Sequence, residues 1–99
     1  MSGGGTITPE TVVVAARDQV SADLEGEAVI LNLADGVYYG LDGVGARIWE
    51  LLHEPRTAAQ LRDAVTAEFE VDAGTAWRDL SGLLADLAER RLVEITPGG

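Results

Sequence analysis

Ninety-nine residues with 46% apolar side chains and a net charge of −10 make one small folded domain with a modest core. The chain has no cysteine, which excludes disulfides, thiolate metal sites and cysteine nucleophiles. Seventeen acidic against seven basic side chains oppose binding to phosphate backbones and favour a cationic or largely apolar partner.

Residues 1–10, opening on MSGGG, read as a disordered arm, residues 11–96 as the single domain and residues 97–99 as a tail. The first ten residues lack the basic and apolar regions of a signal sequence, and no apolar run is long enough to cross a bilayer. A cytoplasmic protein with no membrane partner is expected. Thr11–Ala16 (TVVVAA) and Glu27–Leu33 (EAVILNL) are β-branched and apolar runs that predict two strands, with the polar stretch SADLEGE as their connection. Asp35-Gly36 then predicts a type I′ hairpin turn. The chain returns from it as a third, short strand, Val37–Leu41 (VYYGL). In such an antiparallel meander, a one-residue slip decides which of Tyr38 and Tyr39 faces the core.

The second half carries helical periods. Asp42 predicts the N-cap of a helix over GVGARIWELLH, with Val44, Ile48, Leu51 and Leu52 at i, i+4, i+7 and i+8, and Pro55 stops it. Thr57 and Gln60 form a capping box for AAQLRDAVTAEF, whose core face is Leu61, Val65 and Phe69. Asp72 caps a third helix from Ala73 to about Arg91, whose apolar stripe spans about 140° of the helical wheel, wider than one packing partner usually needs. The following LVEI predicts a short closing strand. The expected fold is α+β and winged helix-turn-helix-like, a three-stranded antiparallel sheet followed by three helices.

Catalytic chemistry finds no footing in this pattern. His53 is the sole histidine, and its place at a helix end suits the helix dipole better than catalysis. No metal-ligand spacing occurs. GLDGVG lacks both the lysine and the spacing of a phosphate loop. Asp63, Glu68, Asp79, Asp86 and Glu89 read as solvated carboxylates. The expectation is a protein without cofactor or metal that is not an enzyme. A binding role has better support, because a sheet ending in a short strand leaves an edge of unpaired backbone groups that can accept an extended peptide. Tyr38 and Tyr39 lie on that strand, one ring toward each face.

The run Gly-x-Tyr-Tyr-x-Leu-Asp-x-x-Gly-Ala-x-Ile-Trp-x-Leu-Leu from Gly36 to Leu52, with Phe-x-Val-Asp at Phe69–Asp72 and Leu-Ala-x-Leu-x-x-Arg-x-Leu-Val at Leu84–Val93, resembles the PqqD-like family. These are recognition elements that bind the leaders of ribosomally made, modified peptides (RiPPs). The resemblance covers Val12 to Ile95 and is strongest to the stand-alone members of lasso-peptide pathways. It implies that a precursor leader peptide adds as a fourth antiparallel strand on the third strand, against the third helix. Carried over by position, the strand would contribute Val37, Tyr38 and Tyr39, and the helix Trp77, Leu80, Ser81 and Leu84. It further implies a Tyr-x-x-Pro type element in the leader, a separate cysteine-type leader peptidase and an ATP-dependent cyclase as partners. The alternatives are a PqqD-like peptide chaperone of another pathway, such as a quinone-cofactor route, a subunit adaptor, and a winged-helix DNA-binding regulator. The mixed charges of the third helix (Asp79, Asp86 and Glu89 beside Arg78, Arg90 and Arg91) disfavour the regulator.

Overall fold

The computed structural model describes residues 7–97, so the ends of the expected arm and tail lie outside it. In chain order the elements are β1 (Val12–Ala15), β2 (Gln19–Leu24), β3 (Glu27–Asn32), β4 (Tyr38–Asp42), α1 (Gly43–Leu51), β5 (Arg56–Thr57), α2 (Ala58–Phe69), α3 (Ala73–Glu89) and β6 (Val93–Thr96). The fold is α+β with three helices, as the sequence predicts. The strands, however, form two antiparallel sheets, β5-β1-β6 and β2-β3-β4.

The meander therefore holds a different first strand from the expected one. Val12–Ala15 pairs with the closing strand, Val12 opposite Thr96 and Ala15 opposite Val93, and with Arg56–Thr57. Its place is taken by Gln19–Leu24, from the stretch that reads as a connection, which pairs with β3 from Gln19↔Asn32 to Leu24↔Glu27. That segment does alternate in polarity, but its apolar members Val20, Ala22 and Leu24 are exposed, so burial against the core leaves no mark on its composition. Gly26, at φ 72°, closes the β2–β3 hairpin. The β3–β4 turn also departs from the type I′ expectation. It is a four-residue loop, Leu33–Gly36, in which Gly36 but not Asp35 takes a positive φ. The Asn32 and Asp35 side chains accept from the backbone N–H groups of Ala34 and Val37 inside it.

The helices follow their start signals closely. The Thr57–Gln60 capping box is complete, with both reciprocal bonds formed, and Asp72 accepts from the Thr75 N–H. Asp42 holds the N-cap position of α1 in extended backbone but makes no side-chain cap bond. At the other end of α1 the orphan carbonyls of a helix terminus find partners in the first sheet's strands. Leu52 O accepts from the Ala15 N–H, and Leu51 O from Arg56 Nε. His53 lies 3.2 Å from Asp23 on β2 and edge-on to Trp49. The turn before β1 is tied down as well, since Pro9 O accepts from the Ala59 N–H and Ile7 packs against the core.

The core lies between the sheets and the helices. Val13, Ile30, Ile48, Trp49, Leu61, Leu80, Leu84, Leu87 and Leu92 are fully buried there. Two polar residues are buried with it, Thr11 before β1 and Asn32 at the end of β3. The Asn32 Nδ2 donates to the Arg90 carbonyl at the C-cap of α3, 2.9 Å away. The meander is thereby fastened to the end of a helix 58 residues later in the chain. Truncating Asn32 orphans that carbonyl and frees the β3–β4 loop. Asn32→Ala should therefore lower unfolding stability by about 1–3 kcal/mol in urea titration, whereas replacing exposed Ala22 by Ser should leave it nearly unchanged.

Candidate functional site

Strand β4 ends the second sheet, so among the described residues one of its edges has no neighbour. Its pairing with β3 runs from Tyr38↔Leu31 to Asp42↔Glu27. Beyond the two ends of this ladder, the Asn32 N–H donates to Val37 O and the Gly43 N–H to Gly26 O. Hydrogen-bonded and non-bonded pairs alternate in an antiparallel ladder. Tyr39 and Leu41 therefore turn their backbone groups toward β3. The N–H and C=O of Tyr38 and Gly40, and the N–H of Asp42, point to the open side. Val37 is not part of this edge. It lies before the strand, its N–H donating to Asp35 and its C=O accepting from Asn32.

The same alternation separates the tyrosines. Tyr39 and Leu41 share the inner face with Ile30 and Ala28, while Tyr38, Gly40 and Asp42 face outward, and Tyr38 is 69% exposed. The Tyr39 hydroxyl donates to Asp86 on α3, and the Arg90 guanidinium sits 4.7 Å from its ring centroid. Arg90 Nε also approaches Asp86 Oδ1 at 3.4 Å. Tyr39 thus bridges β4 and α3, and the candidate cleft is the side of this bridge that lies below the open edge. The hydrogen bond to Asp86 is the main cause that raises the Tyr39 pKa above its ordinary 10.0, with burial adding and Arg90 opposing.

The position of Asp86 fixes which flank of α3 forms the other wall. At about 100° per residue, Trp77 lies roughly 180° from Asp86 around the helix and Ser81 roughly 140° away. Trp77 packs against the core instead. Leu80 and Leu84 are only 1% and 0% exposed and have no surface to offer a ligand. Of the four helix residues carried over from the resemblance, Leu80 and Leu84 are buried, and the half-buried Trp77 and Ser81 lie away from the Asp86 flank. The residues that do share the Asp86 flank are Asp79, Gly82 and Leu83. Leu83 is half-buried against the core, and the space beside Gly82 is open. A sequence signal for this flank did exist. Asp79 and Asp86 are one heptad apart around Leu83, and Gly82 costs a helix interior about 1 kcal/mol relative to Ala without any turn to justify it.

The arrangement suits an extended chain of about five residues, spanning about 17 Å, with main-chain groups on β4 and alternate side chains directed into the cleft. Among the described residues no group of three or more His, Cys, Asp or Glu is placed to hold a metal ion. Among these residues, too, no helix is long and apolar enough to cross a membrane.

Comparison with known proteins matches most of the domain. The family model for coenzyme PQQ synthesis protein D (PqqD) matches residues 27–93, which include β3, β4 and all three helices. The solved structure of TbiB1 in complex with the TbiA(beta) leader peptide is 43% identical, covers 82% of this chain and 94% of that chain, and has a TM-score of 0.78. Two others share the fold at lower identity. A lasso peptide synthetase B1 complexed with the leader peptide is 24% identical over 83% of this chain and 96% of that one, with a TM-score of 0.73. The PqqD part of Methylobacterium extorquens PqqCD, a stand-alone RiPP recognition element, is 19% identical over 94% of this chain and 99% of that one, with a TM-score of 0.75. No curated protein matches the chain.

The Tyr39–Asp86 bond has a direct spectroscopic signature. The native state favours the protonated phenol, so the stability this bond contributes is complete at neutral pH and is lost as pH rises through the raised pKa. Ultraviolet titration of tyrosinate should show a transition above 10.0 that is absent from Tyr39→Phe and moves downward in Asp86→Asn.

Proposed function

The chain belongs to the PqqD family, and on that premise we propose that it is a non-catalytic binder of the leader region of a ribosomally made precursor peptide, which adds as an antiparallel strand to the open edge of β4. The observation that carries this reading is the unpaired edge of Tyr38, Gly40 and Asp42 above the Tyr39 bridge to α3, within the stretch the family match covers. The relative at 43% identity, solved with a leader peptide, supports it.

The division of labour follows from the geometry. Backbone N–H and C=O groups of the leader pair with those of Tyr38 and Gly40 and with the Asp42 N–H, supplying affinity with little dependence on sequence. Selectivity comes from the leader side chains that alternate downward, toward Leu83, Asp79 and the Tyr39–Asp86–Arg90 cluster. An aromatic ring or a proline fits beside Leu83, and a basic side chain fits Asp79. The opposite set of side chains passes Tyr38 on the outer face. The resemblance of the Gly36–Leu52 run supports lasso-peptide biosynthesis as the pathway. In that pathway the bound precursor passes in the cytoplasm to a separate cysteine-type leader peptidase and then to an ATP-dependent cyclase.

Gly40 separates strand addition from side-chain recognition. Proline at an open edge removes a main-chain donor without breaking the ladder to β3, and a Cβ at Gly40 meets nothing within 4 Å. With a fluorescent synthetic peptide of its precursor's leader, Gly40→Pro should weaken binding at least about tenfold, the loss of about 1.4 kcal/mol, while its circular dichroism stays native. Gly40→Ala should bind within about threefold of the parent, since it keeps the N–H. Absence of any leader binding at tens of micromolar would overturn the function itself. Native affinity in Gly40→Pro would overturn strand addition alone.

A further inference from the structure

The outer face of the β2-β3-β4 sheet is not composed like a solvated one. An antiparallel sheet packed on one side normally turns polar residues to water on the other. Here the outward positions include Val20, Ala22, Leu24, Val29, Leu31 and Tyr38. Val20 is 58% exposed, Leu24 56% and Tyr38 69%. Of the large apolar residues exposed among the described residues, only Ile95 lies outside this meander and its loop. Contiguous apolar surface of this kind marks a place where another molecule sits.

The charge around the patch is predominantly negative, with Arg17 at its border before β2. Between Asp18 and Asp42 the chain carries six carboxylates, Asp18, Asp23, Glu25, Glu27, Asp35 and Asp42, and no Lys, Arg or His. Among the described residues, Asp23 is the only one of the six with an ion-pair partner, His53, whereas Arg47, Arg56, Arg62 and Arg90 pair with carboxylates of the helical half. The negative field of the protein is thus concentrated around an apolar strip. That field opposes a second copy of this acidic chain and an anionic lipid surface alike.

We propose that this face docks an amphipathic helix of a partner protein, with an apolar stripe and basic flanks. Two inter-strand spacings make the strip about 10 Å wide, and its strands run for about 17–20 Å. That is the footprint of three to four turns of a single helix, about 10 Å in diameter. The apolar stripe would cover Val20, Leu24, Val29 and Leu31, and lysines or arginines on its flanks would meet Glu25, Glu27, Asp18 and Asp35. The leader edge lies at the side of the same sheet and its cleft beneath it, so both partners can be held at once.

The test uses the whole protein, isotopically labelled, and a synthetic Leu/Lys amphipathic helix of about 18 residues, five turns, with a Leu/Glu peptide of the same pattern as comparison. The proposal expects amide shifts at Val20–Leu24 and Val29–Leu31 with the Leu/Lys peptide and none with the Leu/Glu peptide. It expects at least tenfold weaker binding to Val20→Ser/Leu24→Ser and to Glu25→Lys/Glu27→Lys, both with native spectra and unchanged leader affinity. A saturating leader should alter affinity for the Leu/Lys peptide by less than twofold. The proposal is overturned if the shifts fall on the helical carboxylates, if either double variant binds the peptide normally, or if the leader displaces it. It is also overturned if sedimentation shows a dimer that Val20→Ser/Leu24→Ser dissolves, which would make a second copy the occupant. Loss of leader binding with these results intact would leave the docking face standing and remove only the leader reading.

Discussion

The register of β3 against β4 is the constraint on which the rest of the molecule depends. Ile30 opposite Tyr39 and Ala28 opposite Leu41 place one row of side chains on the helices. The period of two then dictates everything else about the strand. It sends Tyr39 down to Asp86 and Tyr38 out to solvent, and it turns the backbone groups of Tyr38 and Gly40 toward the open edge. A slip of one residue would exchange the tyrosines, bury Gly40 where Leu41 packs, and point a different set of amides outward. Asn32, bonded to the Arg90 carbonyl at the end of the same row, and the Gly43 N–H, bonded to Gly26 O, hold the register from both ends.

From that register the two parts of the protein acquire separate roles. The helical half supplies the core and most of the paired charge. The meander supplies an open edge, an apolar outer face and a concentration of unpaired carboxylates. Tyr39 joins them, since its ring packs under the sheet while its hydroxyl and the guanidinium above it belong to the α3 cluster. This explains why two adjacent tyrosines follow a glycine turn. One sets the distance between strand and helix, and the other stands on the outer face beside the edge.

Helix starts were legible in the sequence because their signals are local. Thr57 with Gln60 and Asp72 with Thr75 act within a single turn, and the core positions Ile48, Leu61, Leu80 and Leu84 repeat at helical spacing. The strand partners were less legible, because pairing is a long-range choice. Val12–Ala15 has the composition of a central strand, and nothing local reveals that its neighbour is Val93–Thr96 rather than Glu27–Asn32. Gln19–Leu24 escaped notice because its apolar residues face outward. The β4 edge and the place of the two tyrosines on it were readable from the short strand after Asp35-Gly36. The α3 wall was not, because an apolar stripe marks the face that is buried. Leu80 and Leu84 belong to the core for that reason, whereas Asp79 and Asp86 look like ordinary solvated carboxylates until Tyr39 is seen to reach Asp86.

Strand addition engages particular backbone amides of β4, and hydrogen exchange observes them one by one. With saturating leader, the amides of Tyr38, Gly40 and Asp42 should gain at least about tenfold protection, while those of Tyr39 and Leu41, already paired with β3, change little. Leader binding that leaves Tyr38, Gly40 and Asp42 exchanging at their free rates would contradict the account.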